Sequence, residues 1–126
     1  GTAPTPSEPR VLALDDYYMT EDDDGEMVYS WEEGMGDAYR ASNLRALKKL
    51  LDARRGAAGF FPIVIVDDCH TTLRQLQPYL AAAQAAGVPC YVLELLATTA
   101  TCAARNVHGW SAERVEALAA EYEPTP

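Results

Sequence analysis

Two carboxylate pairs and one late basic turn carry most of the chemistry this chain can offer. Asp15 and Asp16 follow the short apolar run Val11–Leu14. Asp67 and Asp68 follow Ile63-Val64-Ile65-Val66 within FFPIVIVDDCH, residues 60–70. Arg105 and His108 share the turn RNVHG. A β-branched run ended by charge reads as a strand covered on both faces, as in a parallel sheet. In open α/β sheets the ligand sits beyond the carboxyl ends of the strands. Acids at two strand ends with cations nearby suit phosphoryl transfer. That reaction needs a carboxylate base at the attacking hydroxyl, an acid near Mg²⁺ and cations over the transferred group. The plainer reading stands beside it: Asp67-Asp68 leaves the strand and caps the next helix, and His108 sits in a turn.

The phosphate cradle is missing from this set. The pattern GxxxxGK[ST] does not occur, and Lys48 and Lys49, the two lysines, do not follow a glycine. Other chemistries fit less well. A dehalogenase-type phosphatase wants Asp-x-Asp, whereas LDDYY and VDDCH hold adjacent pairs. Asp67, Asp68, Cys69 and His70 offer zinc ligands, but neighbours on a strand point to opposite faces and converge badly. The acidic stretch 21–26, EDDDGE, lacks the spacing of an EF-hand loop and reads as a solvated turn.

The elements that must position these residues alternate. Residues 1–10 are Pro-rich and read as a flexible lead-in, 11–123 as one domain, and 124–126 as a tail. Val11–Leu14 is a strand, Met27–Trp31 a short extended piece, and 35–54 a long helix with Leu44, Leu47 and Leu51 on one stripe. Gly56 and Gly59 end that helix. Lys48, Lys49, Arg54 and Arg55 crowd its last turns, where cations complement the dipole. After the central strand, Thr71 or Thr72 can cap a helix to Ala86 with Leu73, Leu76, Leu80 and Ala83 at helical spacing. Pro78 is expected to kink it or break it near Arg74, and Gly87 to close it. Val88–Leu96 is a third strand, 98–106 a short helix, and Ser111–Tyr122 the last. Such alternation predicts a three-layer α/β fold, a mostly parallel sheet flanked by helices.

Composition narrows the partners. The chain has 126 residues, 10 basic and 19 acidic, for a net charge of −9. That balance speaks against a direct electrostatic grip on DNA. Three scattered cysteines, Cys69, Cys90 and Cys102, fit reduced thiols inside a cell better than a disulfide framework. No apolar run approaches the ~20 residues of a membrane span. A start at Gly1 and an end at Pro126 suggest a piece of something longer.

LDDYY, YRASNLRALKKLLD, GFFPIVIVDD, TCAARNVHG and the closing EYEPTP, in that order, resemble the C-terminal P-loop kinase-like domain of the YLP-motif-containing protein 1 family, a module related to polynucleotide kinases. The resemblance runs from about Val11 to Glu123. It implies Asp15 as the general base toward an acceptor hydroxyl, Asp67 as the carboxylate near Mg²⁺, and Arg105 as a lid cation over the phosphates. It implies that Arg105, Asn106 and His108 contribute to nucleotide binding and that Asn106 and Gly109 shape that turn. It also implies Mg-ATP as cofactor, a nuclear setting, association with RNA or nuclear proteins, and a link to telomere maintenance. In such folds the first strand and phosphate loop precede everything seen here, and that strand stands between the strands read at 62–66 and 88–96. The expectation is therefore a P-loop NTPase-like sheet without its central member, too incomplete to bind Mg-ATP alone. Unpaired ladder groups would leave it marginal, with an exposed edge or an apolar groove.

Overall fold

A computed structural model describes residues 9–56, 63–69 and 71–124, with the side chains of 54–56 excluded. Most of the lead-in, Gly59, the Phe60–Pro62 start of the central run, His70, the side chains of Arg54 and Arg55, and the end of the tail lie outside the described residues.

The elements are β1 (Arg10–Ala13), a 3-10 turn (Leu14–Tyr18), β2 (Met19–Glu21), β3 (Met27–Tyr29), α1 (Gly36–Gly56), β4 (Val64–Asp67), α2 (Leu73–Ala85), α3 (Thr99–Arg105) and α4 (Ala112–Glu121). The mixture of helices around a small parallel sheet is α/β in outline. β1 and β4 pair in parallel, Arg10 beside Val64 and Ala13 beside Asp67. Arg10 is thus a strand residue rather than the end of the lead-in; its N–H donates to the Ile63 carbonyl at 3.0 Å.

One face of this sheet is packed. Leu12, Val64 and Val66 meet Leu44, Leu47 and Leu51 of α1 and Tyr79, Ala82 and Ala86 of α2. Each fully buried aliphatic side chain there contributes about 1.5–3 kcal/mol relative to exposure. The α1 stripe falls where its spacing predicts. On α2 the buried line is Tyr79, Ala82 and Ala83, while Leu73, Leu76 and Leu80 are half-buried. Small alanines let α2 approach closely, and the tyrosine ring supplies the volume.

The opposite face corrects the expectation of strands covered on both sides. Val11, Ile63 and Ile65 are 56, 54 and 46% exposed, so among the described residues the sheet has one helical layer, not two. The expected third strand is also absent. Residues 88–98 form no ladder, and Tyr91, Leu93, Leu95 and Leu96 are each more than four-fifths exposed. The composition of VPCYVLELL favours a strand, but a strand exists only against a neighbour, and among the described residues β4 pairs with β1 alone.

Local chemistry explains the remaining boundaries. Thr72 caps α2 in a full capping box with Gln75. Pro78 lies inside α2, which runs on without the break expected near Arg74. Gly87 has φ +69°. Its N–H donates to Gln84 O and that of Val88 to Ala83 O, both at 3.0 Å, a Schellman ending. The acidic stretch is a hairpin turn joining β2 and β3, which pair antiparallel. Asp22 Oδ1 accepts from the N–H groups of Asp24 and Glu26 at 2.9 Å, and Gly25 takes φ +80°. That is a three-residue loop with glycine in the left-handed position.

Asn43 is a buried polar residue, at 1% exposed. Its Nδ2 donates to Leu12 O at 3.2 Å, which ties α1 to β1. Tyr79 OH donates to Arg40 O at 3.2 Å. Burial is the main reason the Tyr79 phenol titrates above its ordinary value; Tyr18 is pushed up in the same way. The unfolded chain loses these protons near pH ~10 while the folded chain keeps them. Their stabilisation is complete below pH ~10 and is lost as pH rises through the folded values. Urea titrations above pH ~10 should therefore show falling stability, with a shallower fall in Tyr79→Phe.

Candidate functional site

Asp15 lies in the 3-10 turn that follows β1, not at the strand's last residue. The turn is fixed by Leu14 and Tyr18, both buried, which leaves Asp15 and Asp16 on its outer side. Tyr17 and Tyr18 both pack on Tyr39 of α1, at ring distances of 5.5 and 4.8 Å. Asp67 is the last residue of β4, in register with Ala13. The parallel pairing therefore brings the two acids implied as base and metal carboxylate to one rim of the sheet. Both are exposed.

His108 reaches the same rim. Its Nε2 is 3.2 Å from Asp15 Oδ2, and its ring stacks on Tyr29 with centroids 3.6 Å apart and planes at 22°. Asn106 shapes the approach. Its Oδ1 accepts from His108 N–H at 2.9 Å, and its Nδ2 donates to Trp110 O at 2.7 Å. Gly109 takes φ +75°, which a side chain would resist. Burial, then the nearby Asp15 carboxylate, pushes the Tyr29 phenol up. Arg105 ends α3, three residues before His108, and is exposed. It forms no ion pair with a described residue at the Asp15 rim.

The buried acid of the central run is Asp68, to which the sequence assigns no distinct part. Its side chain is wholly buried, and Arg40 Nε donates to its Oδ2 at 3.3 Å. Arg40 itself carried no sequence signal, because its partner is distant in the chain. Beside this pair a shallow cleft of about 490 Å³ opens between α1 and α2, lined by Asp37, Arg40, Leu44, Thr72, Arg74 and Glu123. Asp15, Asp67 and Arg105 do not line it.

A second group was also not legible in the sequence. Arg114 of α4 lies over both Trp31 and Trp110, 4.7 Å from each ring, and the two indoles meet edge-on at 5.8 Å. Together with Tyr29 and His108 they seat the start of α4 on the hairpin. At the other end of α4, Glu123 N–H donates to Thr71 O at 2.7 Å. Glu123 Oε1 accepts from Leu73 N–H at 3.1 Å, placing a carboxylate at the positive end of α2.

Among the described residues, no group of three or more His, Cys, Asp or Glu side chains converges to hold a metal. Mg²⁺ ordinarily takes one or two carboxylates and completes its shell with water and substrate phosphates. Asp67 suits that part, as one exposed oxygen ligand at a strand end. Among the described residues no helix is long and apolar enough to cross a membrane.

No family model matches the chain, and no solved structure does. Among curated proteins it is similar to YLP motif-containing protein 1 of Homo sapiens, 34% identical over 131 aligned positions that take in 94% of this chain and 6% of that protein. The proteins of the same name from Rattus norvegicus and Mus musculus match at 34% identity, over 9% of their lengths. The chain thus spans less than a tenth of the relatives it matches. Nearly the whole chain is thus similar to a small part of YLP motif-containing protein 1.

Proposed function

We propose that the chain is part of a P-loop kinase-like domain related to polynucleotide kinases, whose first strand and phosphate loop come from polypeptide outside these residues. Alone it does not transfer phosphoryl groups. With the missing element supplied, the reaction moves the γ-phosphate of ATP to a polynucleotide or nucleoside hydroxyl. Asp15 takes the hydroxyl proton, Asp67 serves Mg²⁺, and Arg105, Asn106 and His108 lie toward the nucleotide. The observation that carries this reading is the parallel register of Ala13 with Asp67. It delivers both acids to one rim, where the RNVHG turn meets them through His108 and Asp15. The exposed Tyr91, Leu93, Leu95 and Leu96, in a segment that forms no ladder, favour a neighbouring strand supplied from elsewhere.

The setting we propose is the nucleus, with RNA or nuclear proteins as partners and a part in regulating telomere maintenance. The charge of −9 favours protein partners over a direct grip on DNA. A second reading, a non-catalytic scaffold that binds partners through its surface, is favoured by the same exposed apolar run. Calorimetry with Mg-ATP separates the two. Binding heat that appears only when the chain is preceded by its upstream sequence supports the kinase-like reading. No heat with either chain supports the scaffold and rejects the nucleotide site.

A further inference from the structure

Helices α3 and α4 form an arm. They pack on each other, and neither contains a buried residue. The exposed run at 88–98 leads into it. Among the described residues, two joints tie the arm to the rest of the molecule. One is the tie of Glu121 and Glu123 to Thr71 and Leu73. The other is the cluster of Trp31, Trp110 and Arg114 with Tyr29, His108 and Asp15. An element with so little buried surface opens at a small fraction of the global unfolding free energy. Whatever holds its joints therefore decides how often it is closed.

We propose that His108 is the positioning residue of Asp15, and that their contact is the catch that closes the α3–α4 arm over the Asp15 rim. The geometry is specific. Stacking on Tyr29 fixes the plane of the imidazole. The Asn106 hydrogen bond to the His108 N–H fixes its backbone. With a carboxylate as acceptor, Nε2 carries the proton. That bond engages Oδ2 of Asp15 and leaves Oδ1 to receive a proton from an acceptor hydroxyl. A rotatable carboxylate 63% exposed on its side chain thereby gains one orientation. Arg105 rides on the same arm, three residues away, so one contact sets both the base and the approach of the cation. The catalytic meaning of this contact rests on the reading of Asp15 as the base; the contact itself does not.

Hydrogen exchange of the 126-residue chain tests it without any phosphoryl transfer, using Asp15→Ala, His108→Phe and the double variant. Phenylalanine keeps a ring on Tyr29 and removes the nitrogen. Losing a contact to a carboxylate 63% exposed on its side chain should lower amide protection across 106–121 about two- to fivefold in either single variant. The double variant should lose no more than either single one, and protection in α1 should stay unchanged. Trp31 and Trp110 both sit in this joint, so the tryptophan emission should shift together with the exchange. Protection lost in His108→Phe but kept in Asp15→Ala overturns the proposal, because His108 would then only pack. Multiplying effects in the double variant, or equal loss of protection in α1, overturn it too. A catch that fails here leaves the Mg-ATP calorimetry to judge the kinase-like reading separately.

Discussion

Arg40→Ala should lower the stability of the chain by about 3–5 kcal/mol. The Asp68 side chain is wholly buried and receives Arg40 Nε at 3.3 Å. Removing the guanidinium takes a cation from a carboxylate held away from water, and deleting one partner of a buried pair costs about 3–5 kcal/mol. A domain of this size has a total stability of about 5–15 kcal/mol, and the core here is small: one sheet face against two helices. Equilibrium urea unfolding gives the measurement. Replacing the pair together, Arg40→Met with Asp68→Leu, should recover most of the loss, because an apolar pair leaves no buried charge. An Arg40→Ala midpoint equal to that of the unaltered chain would mean that the pair does not hold α1 to the end of β4.

On the proposed kinase-like reading, Asp15→Asn in a chain extended upstream should lower phosphoryl transfer by about 10²–10⁴-fold, the usual contribution of a positioned general base. On the same reading nucleotide affinity should change little, since the base serves the acceptor hydroxyl. Asp16→Asn is the internal comparison. It is exposed on the same turn and should retain most of the turnover. Coupled ATP-consumption kinetics with a polynucleotide acceptor would show both. Equal losses at Asp15 and Asp16 would remove Asp15 from the role of base.

Much of the fold is legible in short-range chemistry. The Leu44, Leu47, Leu51 stripe, the Thr72 cap and the Gly87 ending each depend on residues within a turn or two, and each forms as its local signal dictates. The parallel pairing of the two DD-terminated runs is also readable, because β-branched runs separated by a long helix have little other option. What the residues could not disclose is long-range. Arg40 and Asp68 are 28 positions apart, and His108 and Asp15 are 93 apart; neither pair has a spacing to betray it. Val88–Leu96 has the composition of a strand, but no described strand lies beside it to form a ladder. Pro78 shows the converse: packing of Tyr79, Ala82 and Ala83 holds α2 through a residue whose local preference is to end it.

The apolar stretch from Tyr91 to Leu96 bears on how the polypeptide fares in solution. Aliphatic and aromatic side chains of high β-propensity, standing in water without a ladder partner, are what protein-folding helpers grasp and what templates fibrous self-association. Glu94 is the single charge between Tyr91 and Leu96, and it serves as the gatekeeper of that stretch. That exposed stretch is thus a solubility hazard for the 126-residue chain.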